Sequence, residues 1–131
     1  MTLLKAFHFL KMDNLKLVLA GAQVLNGNKK IIKKLKKYIL ENNLSEKVIL
    51  PGFISKEESK VYYKNATIYV FPSLDEGFGI PILEALSFSL PTICSDIKVF
   101  KEIGNNSVEF FKAGDSNSLA SKIRFLLNDE D

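Results

Sequence analysis

Short apolar runs alternate with segments of helical periodicity along this whole 131-residue chain. Parallel strands need a long crossover, and a helix is the usual one, so the alternation argues for an α/β domain: a Rossmann-like parallel sheet with flanking helices. The pattern predicts helices at residues 2–12, 29–42, 56–64, 81–88, 98–103 and 116–127, and strands at 15–20, 47–50, 67–71, 91–94 and 108–111. Ser55 and Glu58 stand at capping-box spacing at the head of the third helix, and Asp115 is a good N-cap for the last. Ser73 and Glu76 have the same spacing, but Gly77 and Gly79 follow at once, so no helix is expected to start there.

With 47% hydrophobic residues the chain has enough apolar surface for one core, and residues 1–131 read as one domain. No apolar run approaches a membrane span, and the N-terminus lacks the pattern of a signal peptide, which makes the cytoplasm the default expectation. The single cysteine, Cys94, excludes an internal disulfide and reads as a buried, inert thiol at the end of an apolar strand. His8, among Phe7, Phe9 and Leu10, reads as a packing residue, and no partner base offers a nucleophilic triad.

Lys29, Lys30, Lys33, Lys34, Lys36 and Lys37 outweigh the whole net charge of +3. Ile31, Ile32, Leu35, Tyr38 and Ile39 recur through the same segment at helical spacing, so it reads as an amphipathic helix with a solvated lysine face. The functional alternative is attraction to an anionic lipid surface. Nucleic acid is not expected, because aromatic interleaving is missing.

The most informative local segment runs from Glu76 to Glu84, two carboxylates eight residues apart around Gly77 and Gly79. Pro81 suits the first position of a helix, whose exposed N–H groups and dipole favour a phosphate oxygen. The glycines let a ligand approach the main chain, and the acceptor-only carboxylates suit sugar hydroxyls. The bland reading is a glycine-rich turn with a glutamate stabilised by the helix dipole.

The run Phe71-Pro72-Ser73-Leu74-Asp75-Glu76-Gly77-Phe78-Gly79-Ile80-Pro81-Ile82-Leu83-Glu84-Ala85-Leu86, followed by Leu90-Pro91-Thr92-Ile93-Cys94-Ser95-Asp96, resembles the donor-binding core of the retaining GT-B glycosyltransferases (group 1) with their E-x7-E motif. Leu17 to Gly21, Val48 to Ile54, Glu102-Ile103-Gly104 and the closing helix fall in the same family order. The resemblance implies the C-terminal half of a GT-B fold and a nucleotide-diphosphate sugar as donor. Glu84 would hold the ribose hydroxyls and Glu76 would face the donor sugar, the two being the catalytic candidates. Ser73, Gly77, Phe78, Gly79 and Ile80 would line the sugar and diphosphate, and Gly52, Phe53 and Ile54 would lie against the base. No cofactor or metal is expected; the D-x-D form of Asp129-Glu130-Asp131 reads as a solvated terminus.

Two features depart from the family. Its arginine and lysine for the donor diphosphate precede its first helix, which Met1-Thr2-Leu3-Leu4-Lys5-Ala6-Phe7 already resembles, so both cations and the strand before them are expected to be absent. Lys5 does not take that role. In a sheet of order 3-2-1-4-5-6 the absent strand is the central one, leaving strands 15–20 and 67–71 each with an unpaired edge, open to self-association or a partner chain. Ser89, where the family usually has glycine, implies a turn adjustment. The expected function is the donor half of a glycosyltransferase acting on a glycan or lipid-linked acceptor, inactive alone. The alternatives are a non-catalytic nucleotide(-sugar)-binding module and, more weakly, a nucleotide-sugar epimerase.

Overall fold

The structure, a computed structural model, describes residues 1–20, 29–74, 80–104 and 106–129. Among the described residues eleven elements alternate between helix and strand: α1 (Thr2–Leu10), β1 (Leu17–Ala20), α2 (Lys29–Glu41), β2 (Val48–Gly52), α3 (Lys56–Asn65), β3 (Tyr69–Phe71), α4 (Ile80–Ser87), β4 (Thr92–Ser95), α5 (Lys98–Gly104), β5 (Glu109–Phe111) and α6 (Ser116–Asp129). Each lies within about two residues of its expected place, the ordinary uncertainty of element ends. The first helix stops at Leu10, short of residue 12, because Lys11 turns into the left-handed region at φ 51°. α4 begins at Ile80, one residue ahead of Pro81.

Local chemistry sets several of these ends. Ser55 Oγ accepts the Glu58 N–H at 3.1 Å while Glu58 Oε1 accepts the Ser55 N–H at 3.5 Å, the expected capping box of α3. Asp115 Oδ1 accepts the Ser118 N–H at 3.0 Å at the start of α6. α2 and α4 end in the same way. Asn43 and Ser89 adopt φ 56°, and the following Leu44 and Leu90 donate back to the carbonyls of Ile39 (2.9 Å) and Ala85 (3.2 Å). These are Schellman closures, which normally use glycine at the left-handed position. The serine at 89 is therefore held in the left-handed conformation that such a turn requires.

Among the described residues the ladders are all parallel and fall into two sheets, β1-β2 and β3-β4-β5. Within each sheet the order agrees with the expected doubly wound one, and among the described residues no ladder joins β1 to β3. Residues 15–16 and 67–68, expected as strand, fall outside the ladders, which begin at Leu17 and Tyr69.

One apolar core nevertheless serves both sheets. Leu4, Phe7 and Leu10 of α1 pack with Ile39, Val48, Ile93, Phe111, Leu119 and Ile123. α1 also lies along α6, where Ser116 Oγ donates to the Thr2 carbonyl at 3.1 Å and Arg124 Nη2 to the Phe9 carbonyl at 2.7 Å. The second bond satisfies a carbonyl that the end of a helix leaves without an intrahelical donor. His8 lies edge-on to Tyr38 at 5.9 Å, the packing role its surroundings suggest. A second cluster, Ile82, Cys94 and Phe100, ringed by Phe71, Leu86 and Val108, seats α4 against the second sheet. Among the described residues no helix is long and apolar enough to cross a membrane.

Candidate functional site

The periodicity of α4 decides which way its glutamate faces. Ile82 and Ala85 are fully buried and Leu86 packs beside them, so the opposite face, with Leu83, Glu84 and Ser87, is exposed. Glu84 is the fifth residue of the helix, one turn beyond the dipole's positive end, as expected. Tyr63 of α3 meets it there, its hydroxyl donating to Glu84 Oε2 at 3.3 Å. The Tyr63 ring stacks on Phe88 at 5.4 Å with planes 14° apart and tilts against Tyr69 at 5.5 Å. Burial first, then the charge and hydrogen bond of Glu84, raise the Tyr63 hydroxyl above its ordinary pKa of 10.0, so it remains a protonated donor at neutral pH.

Tyr63 did not stand out in the sequence. It sits 21 residues from Glu84 next to a second tyrosine, and only the helix phase and the α3–α4 approach distinguish the two. Ser87 adds a local restraint, its Oγ donating to the Glu84 carbonyl at 2.6 Å.

The other expected site residues follow strand ends, where ligands of parallel α/β sheets bind. Gly52 closes β2, buried, at φ 79°, a conformation open mainly to glycine. Phe53 follows it with its side chain 72% exposed, and Ile54 is half-buried before the Ser55 cap. The short segment is thus held between a strand end and a capping box while its aromatic ring faces solvent. Ser73 is half-buried just after β3, and Ile80 opens α4. Glu76, Gly77, Phe78 and Gly79 lie outside the described residues. Among the described residues no hydrogen bond or ring contact joins Gly52, Phe53 or Ile54 to Glu84.

At the end of β4, Asp96 Oδ1 accepts the Ala113 N–H at 2.9 Å, and the Asp96 N–H donates to the Phe111 carbonyl at 3.0 Å. The acidic turn therefore ties β4 to the segment after β5. Ser95 Oγ beside it is fully buried with no hydrogen-bond partner among the described residues. Cys94 is buried too, and burial pushes its thiol up to about 12, the inert state expected of it. A depression of about 260 Å³ lined by Phe7, His8, Met12, Asn43 and Leu44 contains none of the expected site residues.

The fold and motif together have clear relatives. The family model described as "Glycosyl transferases group 1" matches residues 1–131, and the chain belongs to that family. It is 38% identical over 90 residues to the O-antigen chain mannosyltransferase RfbU of Salmonella typhimurium, a match covering 69% of this chain and 26% of the relative. The structure resembles the C-terminal domain of a glycosyl transferase group 1 family protein (LpcC) from Francisella tularensis, with a TM-score of 0.82 and 24% identity over 98% of this chain and 68% of that one. It also resembles Anabaena Alr3699/HepE, solved in complex with UDP-glucose, with a TM-score of 0.87 and 22% identity over 98% of this chain and 35% of that one. The architecture is that of the C-terminal domains of GT-B glycosyltransferases. The chain spans about a quarter of the length of the curated relative.

Proposed function

We propose that this chain is the donor-binding part of a retaining glycosyltransferase that moves a sugar from a nucleotide-diphosphate sugar to a glycan or lipid-linked acceptor. The observation that carries the reading is the exposed Glu84 on the second turn of α4, within a chain that matches the glycosyl transferase family from residue 1 to residue 131. Its carboxylate accepts the two ribose hydroxyls, and Tyr63 holds one of its oxygens from the side. Glu76 faces the donor sugar, and the amides of Phe78, Gly79 and Ile80 bind sugar and diphosphate, with Gly77 and Ser73 contributing to the same site. Gly52, the exposed Phe53 ring and Ile54 cover the base. The name of the Salmonella relative favours mannose as the transferred sugar. Rate enhancement rests on positioning and on stabilising the departing diphosphate, and the reading needs no metal.

The chain taken alone is inactive in this reading, because it spans only about a quarter of the length of its curated relative. It works on the cytoplasmic side of the membrane. A second reading, a nucleotide-binding module completed by a partner chain, is favoured by the absence of a ladder between β1 and β3 among the described residues.

Calorimetric titration with UDP, GDP and ADP and their sugar conjugates tests the proposal. Selective binding that Glu84→Ala weakens at least tenfold supports it. Binding of equal strength to every nucleotide and unaffected by Glu84→Ala would sink it, and sugar transfer by the isolated chain would refute the predicted inactivity.

A further inference from the structure

The strongest surface feature outside the nucleotide site is the outer face of α2. Leu35, Tyr38 and Ile39 seat the helix on the core, which fixes its opposite side toward solvent. At about 100° per residue, Lys29, Lys33, Lys36, Lys37 and Leu40 share one arc of roughly 100°. Leu40 lies near the middle of it, one turn from both Lys36 and Lys37, and is 71% exposed. Lys33, Lys34 and Lys36 have no ion pair among the described residues. Lys37 reaches only Glu41, at 3.8 Å with both side chains mostly in water, a contact too weak to neutralise the face. A rigid, positively charged face with an apolar side chain at its centre suits an anionic interface with a hydrocarbon layer beneath it.

We infer that the outer face of α2 docks this protein reversibly on an anionic lipid surface, its lysines held by headgroup phosphates and Leu40 inserted between them. The observations favour lipid over nucleic acid. The one aromatic residue of the helix, Tyr38, is on the packed side and so is not available to stack on bases, and the helix has no arginine to fork onto a phosphate. The inference does not depend on the nucleotide-sugar reading, and nucleotide titration of the same preparation tests that reading separately.

The experiment is co-sedimentation of the full chain with phosphatidylglycerol–phosphatidylcholine vesicles, with pure phosphatidylcholine vesicles as the control. Expected is retention on the anionic vesicles alone, lost as salt rises. Each lysine near the surface is worth about 1 kcal/mol, or about fivefold in partition, so Lys33→Gln with Lys36→Gln lowers partition about 25-fold. Leu40→Ser lowers it severalfold without changing the salt dependence. All three substitutions face solvent, and an unchanged melting temperature verifies the fold. No retention, equal retention on uncharged vesicles, wild-type retention of Leu40→Ser, or tighter binding to single-stranded RNA at equal phosphate concentration would each overturn the inference.

Discussion

The hydroxyl of Tyr63 lies 3.3 Å from Oε2 of Glu84, so the side chain that α4 turns to solvent is held from α3, across β3. The tyrosine is itself fixed by its stack on Phe88. Orientation of the carboxylate thus depends on a neighbouring helix as well as its own backbone.

Tyr63→Phe keeps the stack and removes only the hydrogen bond. A bond of this kind is worth about 0.5–1.5 kcal/mol. Affinity for a preferred ribonucleoside diphosphate is expected to fall roughly two- to tenfold on that basis. Affinity for its 2′,3′-dideoxy analogue should not change, nor should the melting temperature. Equal losses for both nucleotides would assign Tyr63 a packing role instead.

Ser89→Gly is expected to stabilise the protein. Ser89 is held at φ 56° by the closure of α4, and glycine relieves that conformation for roughly 0.5–1 kcal/mol. Urea unfolding should show a higher midpoint at unchanged slope. A lower midpoint would mean that the hydroxyl contributes more than the backbone strain costs.

Gly104→Ala is expected to destabilise. A Cβ at this buried position would meet Val108 Cγ2 at 2.5 Å, and a β-branched side chain has few rotamers to retreat to. The loss should be about 1–3 kcal/mol, as for overpacking in general. Adding Val108→Ala should recover part of it, a coupling that a double-mutant cycle measures directly. Strict additivity would show that the crowding is absent.

Cys94 makes stability depend on alkaline pH. Its thiol titrates at about 12 in the folded protein against 9.0 for the unperturbed group, so between those values the unfolded chain binds fewer protons than the native one. Stability is therefore fully present below pH 9 and falls as pH rises toward 12. Denaturant unfolding of the wild type should lose a few kcal/mol more than Cys94→Ala over this window. Parallel curves for the two proteins would refute a buried thiol.

The alternation of strands and helices, the Ser55–Glu58 capping box and the Asp115 cap were all legible in the sequence, because each is written in residues a few positions apart. The end of α1 was harder to place. Lys11 turns left-handed although lysine carries no signal for that conformation. The sequence also placed Glu84 one turn into a helix, at the end of the segment that begins at Glu76, and Phe53 after a strand. It had no means of selecting Tyr63, since the meeting of Tyr63 and Glu84 arises from how α3 and α4 pack around β3.

The sequence by itself determined the order and type of the elements, the family, and the lysine-rich composition of α2, because periodicity, capping and short motifs act over one or two turns of chain. Only the tertiary structure decided which residues share a surface. It turned Glu84 outward against Tyr63, left Leu40 exposed among lysines, and let one core bind two sheets that no ladder joins among the described residues. Those outcomes depend on side chains far apart in sequence burying apolar area together, a term that local pattern does not contain.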